Sequence, residues 1–69
     1  MAEVTSLRVA REALGLSQQE LGERLGVYQS YVSMVEGGHR TPSLPVAHRW
    51  AETLELDVDR FCDLLKKEG

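Results

Sequence analysis

The run from Ser17 to Glu36, SQQELGERLGVYQSYVSMVE, constrains the fold more than any other part of this 69-residue chain, because a helix start, a helix stop and a second helix follow in close order. Ser17 and Glu20 stand at the spacing of a capping box, in which a hydroxyl and a carboxylate each accept a backbone N–H that the first helical turn leaves unpaired. Leu21 and Leu25 lie four apart on one face, and Gly26 sits where the helix must end with positive φ, which glycine tolerates best. The second helix is expected over about Gln29 to Glu36. Val27 has no apolar destination except the angle between the two helices, so the turn is fixed to the core and the helices meet steeply.

On a wheel of about 100° per residue, Val32 and Val35 define the buried direction of the second helix, with Tyr28 near them. Ser30, Ser33, Met34 and Gly37 point away, and Gln29 lies near the helix start to one side of that face. Such a set suits the reading of base edges: a glutamine can bond adenine bidentately, a serine hydroxyl serves several bases, and Met34 can lie against a thymine methyl. Small and polar residues there are equally what an ordinary solvated helix face presents.

The remaining segments read as a helical frame. Leu7, Ala10 and Leu14 recur at helical spacing before Gly15, giving a first amphipathic helix with a glycine stop. Thr41, Pro42 and Ser43 form a loop, and Ser43 is the expected N-cap of a fourth helix that carries Leu44, Ala47, Trp50, Ala51 and Leu54 inward. Pro45 is compatible with its first turn, where the missing N–H is not needed. Asp57 is the expected cap of a fifth helix bearing Val58, Phe61, Cys62 and Leu65. No repeat, linker or strand pattern is evident. The expectation is an all-α, five-helix single domain over residues 1–69, with its core from about residue 7 to residue 65. A chain of this size buries about 60% of its unfolded surface, so the core is small.

These residues carry a resemblance to the phage-repressor or XRE type of helix-turn-helix domain, a family of five-helix, lambda-repressor-like transcriptional regulators. It covers about Leu7 to Leu65 and rests on three blocks in order. They are GLSQQELGERLGV from Gly15 to Val27, QSYVSMVEGG from Gln29 to Gly38, and Glu36, Gly38, Arg40, Pro42 and Ser43. The resemblance implies that Gln29, Ser30, Ser33 and Met34 face bases, and that Gln18 and Arg40 meet phosphates. Tyr28 and His39 join them as phosphate candidates. Arg11 and Glu36 match a pair that in many members forms an internal ion pair between the first and third helices. The implied partner is double-stranded DNA, bound by a homodimer for which Phe61 and Leu65 are candidate anchors unless they serve the core.

Departures from the family pattern bear on affinity. Tyr28 stands where Ser or Thr often caps the third helix, a loss of about 1 kcal/mol. Basic residues are frequent at the positions of Met34 and Gly37, Gly22 replaces the usual alanine of the second helix, and Glu55 replaces the glycine that commonly ends the fourth. The net charge is −3, and the deficit lies wholly in the last 18 residues, since Met1 to Ala51 hold five basic and five acidic side chains. Few phosphate contacts are expected, with uncharged donors and helix N-termini supplying more of the positioning.

Other functional classes find little support. No stretch approaches the roughly 20 apolar residues of a membrane span, Glu3 precedes any apolar run and none reaches the length of a signal peptide, and a lone cysteine cannot form an internal disulfide, so a cytoplasmic location is expected. Cys62 fits a small buried hydrophobe, and Trp50 fits the core. His39 and His48 have no partner at metal-ligand spacing, so neither a metal nor a cofactor is expected. No nucleophile motif or phosphate loop marks an enzyme. The main expectation is a sequence-specific transcriptional regulator. The alternative is a protein-interaction or antitoxin-like module with the same fold, an additional protein partner and weak DNA affinity.

Overall fold

The computed structural model describes residues 4–68, which form five helices and no strand. They are α1 (Leu7–Ala13), α2 (Gln18–Leu25), α3 (Gln29–Glu36), α4 (Leu44–Thr53) and α5 (Val58–Glu68). Local chemistry sets most of the starts. Ser6 Oγ accepts the Val9 N–H at 3.1 Å to open α1, and Asp57 Oδ1 accepts the Arg60 N–H at 2.8 Å to open α5. At α2 the capping box is complete, with Ser17 Oγ accepting from Glu20 N and Glu20 Oε1 accepting from Ser17 N, both at 3.0 Å. Ser43 is the N-cap of α4, as expected, although its side chain makes no capping bond.

Three helices end in the same way. The N–H two residues past the cap reaches back to a carbonyl of the last turn, as in Leu16 to Arg11, His39 to Met34 and Leu56 to Ala51. This closure requires a left-handed residue just past the cap. Gly15 (φ 72) and Gly38 (φ 80) meet that need without strain, whereas Glu55 adopts it at φ 60 as the one non-glycine residue of positive φ among those described. The fourth helix therefore stops where a glycine would stop it, against the intrinsic preference of an L-residue.

The core gathers around Trp50, which is fully buried with the Phe61 ring 6.0 Å away and the Tyr31 ring 6.3 Å away, both tilted by 49°. Leu7, Leu21, Leu25 and Leu64 are likewise buried completely. Several inward expectations shift. Leu14 lies at the cap of α1 and is 39% exposed; the chain reverses at Gly15, and Leu16 enters the core instead. Leu44, at the first position of α4, is 71% exposed, and the buried stripe of that helix begins at Ala47. On α5 the fully buried pair is Phe61 and Leu64, while Val58, Cys62 and Leu65 are half-buried at its margins.

Candidate nucleic-acid interface

The geometry of the α2–α3 unit begins at Gly22. A Cβ there would lie 2.7 Å from the Val27 carbonyl oxygen, so the backbone after Gly26 passes closer than any larger residue allows. Gly26, at φ 76, turns the chain, and the Val27 N–H returns to Gly22 O at 2.9 Å. The C-terminal end of α2 is tied to the frame by Arg49 of α4, whose Nη1 donates to Leu25 O at 3.0 Å. The turn is thus braced where it leaves α2.

α3 is anchored by one side. Val32 and Val35 are fully buried, and Glu36 is 7% exposed. The Glu36 carboxylate accepts from Arg11 Nε at 2.7 Å, from Arg11 Nη2 at 3.3 Å and from Gln18 Nε2 at 3.1 Å, while Arg11 Nη1 donates to Leu16 O at 2.7 Å. A buried pair of this kind is held by satisfying its remaining donors and acceptors as well as by charge. Here α1, α2 and α3 converge on one carboxylate, and Gln18 is drawn into that network with one amide N–H left over.

The opposite side of α3 faces outward. Gln29, Ser30 and Ser33 are exposed, and Met34 is half-buried at the edge of the face. Tyr28 does not lie near the buried direction; it is 86% exposed, because it precedes the helix with extended backbone (φ −76, ψ 153) to which a helical wheel does not apply. Its side chain gives α3 no cap. At the other end Gly37 carries no side chain, and a Cβ there would meet the His39 ring at 3.1 Å. The imidazole therefore occupies the space beside the last turn that residue 37 leaves free. Arg40 follows and is exposed.

A polar groove of about 390 Å³ runs beside this face, lined by Arg8, Arg11, Glu12, Gln18, Ser33, Glu36 and Gly37. It brings Gln18 and Ser33 together, and it adds Arg8, which the motif reading did not select. The signal available was the i, i+4 pair Arg8 and Glu12 on the first helix, whose side chains meet at 3.3 Å. Arg49 was equally silent in sequence, since its acceptor is a backbone carbonyl 24 residues away. The candidate dimer anchors separate. Phe61 is completely buried within its own chain and is a core residue, whereas Leu65 lines a second, apolar groove with Thr41, Cys62 and Lys66.

Glu20 titrates below the ordinary carboxylate range. Its carboxyl is held below the ordinary value of 4.5, first by the Ser17 backbone N–H and then by the Ser17 hydroxyl. Among the described residues no group of three or more His, Cys, Asp or Glu side chains is arranged to hold a metal ion. Among the described residues no helix is long and apolar enough to cross a membrane.

Five helices around a braced helix-turn-helix agree with the comparisons to known proteins. A helix-turn-helix family model matches residues 7–61, and the chain belongs to the XRE-type helix-turn-helix family of DNA-binding transcriptional regulators. It is similar to an HTH-type transcriptional regulator of Methanothermobacter thermautotrophicus, 46% identical over 65 residues that make up 94% of each chain. It also resembles an HTH-type transcriptional regulator of Sinorhizobium fredii, 42% identical over 75% of this chain. A third, from Mycobacterium tuberculosis, is 38% identical over 77% of this chain. The chain spans 26% and 38% of the length of these last two relatives, which carry further sequence of their own.

Proposed function

We propose that this regulator reads a specific double-stranded operator by laying α3 in the major groove, with Gln29, Ser30, Ser33 and Met34 as base-facing side chains. The observation that carries this reading is the division of α3 into two sides. Val32, Val35 and Glu36 hold it rigidly from within, and an uncharged hydrogen-bonding edge is left outside. In this reading Gln18, Tyr28, His39 and Arg40 hold phosphates, and the spare N–H of Gln18 is the one its amide offers. Because α3 reads only a few base pairs, a homodimer on two half-sites about 34 Å apart supplies useful affinity. The apolar groove beside Leu65 is the surface proposed for the partner copy. Such a regulator acts on DNA in the cytoplasm. Selection of bound sites from random DNA tests the reading: an inverted repeat supports it, and recovery of no common sequence opposes it.

The net charge of −3 and the absence of any basic side chain on α3 favour a second reading, a protein-interaction or antitoxin-like module of the same fold. Fluorescence anisotropy at low salt separates the two. Binding no tighter than about 10⁻⁴ M, the weak edge of non-specific affinity, supports the interaction module.

A further inference from the structure

We infer that Arg8 is an additional phosphate contact, held over the groove beside α3 by Glu12 and released from it when DNA arrives. The inference rests on the proposed reading of α3 in the major groove and adds a residue that neither the motif nor the family match selects. With α3 in that position, phosphates of the flanking strand pass the polar edge formed by Gln18 and Ser33, and Arg8 lines the same groove.

The cationic capacity of that groove belongs to Arg8. Arg11 also lines it, but the residue is 7% exposed and its guanidinium is directed at Glu36 and the Leu16 carbonyl. Gln18 has already committed one amide proton to Glu36. Arg8 by contrast has a side chain that is 69% exposed and uses only Nε, at 3.3 Å, toward Glu12. Both of its terminal nitrogens are without a hydrogen bond among the described residues, and a guanidinium so placed can clasp two phosphate oxygens. On the α3 side the groove is lined by Ser33, Glu36 and Gly37, and the Glu36 carboxylate is already bonded to Arg11 and Gln18.

Glu12 has two opposing effects. As the i, i+4 partner of Arg8 it holds the long side chain near the groove, but its charge repels the incoming phosphate. An exposed pair of this kind is weak enough to exchange for a stronger charge-assisted contact. The Glu12 side chain is already 51% exposed while paired, so release leaves no buried charge behind.

The test compares Arg8→Ala, Glu12→Gln and Arg24→Ala, the last removing one exposed positive charge from the last turn of α2. Each is titrated against an operator duplex and a random duplex across a salt series. Arg8→Ala should weaken both duplexes by about five- to tenfold near 0.1 M salt and lower the salt slope by about one unit, while Arg24→Ala leaves the slope almost unchanged. Glu12→Gln should tighten both by about two- to fivefold, the range an exposed pair contributes. Equal effects of Arg8→Ala and Arg24→Ala would reduce the result to net charge and overturn the inference. A loss confined to the operator would make Arg8 a base reader and overturn it too. Failure of the unaltered protein to bind either duplex would remove the DNA reading itself, an outcome distinct from both.

Discussion

The convergence of three helices on Glu36 makes Arg11→Met the most informative perturbation of the fold. Arg11 and Glu36 have side chains only 9% and 5% exposed, and their contacts include hydrogen bonds at 2.7 Å and 3.3 Å. Methionine keeps much of the stem's packing but leaves Glu36 as a buried carboxylate supported by Gln18 alone. Breaking a buried pair from one side costs about 3–5 kcal/mol, whereas replacing both partners with apolar residues is often neutral or better. A domain of this length has a total stability of about 3–10 kcal/mol, so the single substitution removes a large share of it. Since about 1 kcal/mol moves the Tm by 4–8 °C in domains of this size, Arg11→Met should lower it by more than about 12 °C. The double variant Arg11→Met, Glu36→Leu should recover more than half of that loss. It will not recover all, because the Leu16 carbonyl loses its donor in both variants. Thermal and urea unfolding of the three proteins provide the assay. A single-variant loss under about 1 kcal/mol, or a double variant no more stable than the single, would refute the reasoning.

Three other outcomes follow from local geometry. Glu55→Gly should raise stability by about 0.5–1 kcal/mol, since a left-handed L-residue costs about 1–2 kcal/mol and glycine's added chain entropy offsets part of the relief; an unchanged or lower Tm would contradict this. Gly22→Ala should destabilise by up to about 2 kcal/mol, because the clash with Val27 O at 2.7 Å outweighs a helix-propensity gain of about 1 kcal/mol. Urea unfolding that finds the alanine variant equally stable would show that the turn relaxes freely. For Glu20 the lowered folded-state pKa means that the unfolded chain binds more protons in the window below the ordinary value of 4.5. The capping contribution is therefore complete above that value and is lost as pH falls through the lowered one. Glu20→Gln should flatten this part of the stability profile, and an unchanged acid slope would count against the capping box.

Features encoded within a few residues were the most legible. The capping box of Ser17 and Glu20, the left-handed Gly26 and the bounds of α3 each depend on neighbours along the chain, so spacing alone conveys them. Legibility failed at helix margins, where burial depends on other elements. Leu14 and Leu16 exchange roles because reversal at Gly15 turns one outward and the other in, and the core phase of α5 falls on Phe61 and Leu64. Periodicity gives a stripe but not which edge of it meets the rest of the protein. Phe61 thus moved from candidate interface to core, and Tyr28 moved from buried direction to full exposure. Glu55 shows the converse, a residue that opposes its own conformation because the Leu56-to-Ala51 closure and the burial of Leu54 determine it. At the candidate interface the sequence conveyed residue types, but the sharing of Glu36 between Arg11 and Gln18 and the groove beneath Arg8 depend on three helices meeting.

The central claim is that the outer edge of α3 reads sequence while its inner side only holds position. Titration of Gln29→Ala against the selected operator and against random DNA tests this most directly, since Gln29 is exposed and its removal leaves the anchoring residues untouched. The account predicts a loss on the operator of about 1–3 kcal/mol, with random-sequence affinity nearly unchanged. An equal loss on both duplexes, or none on either, would contradict it.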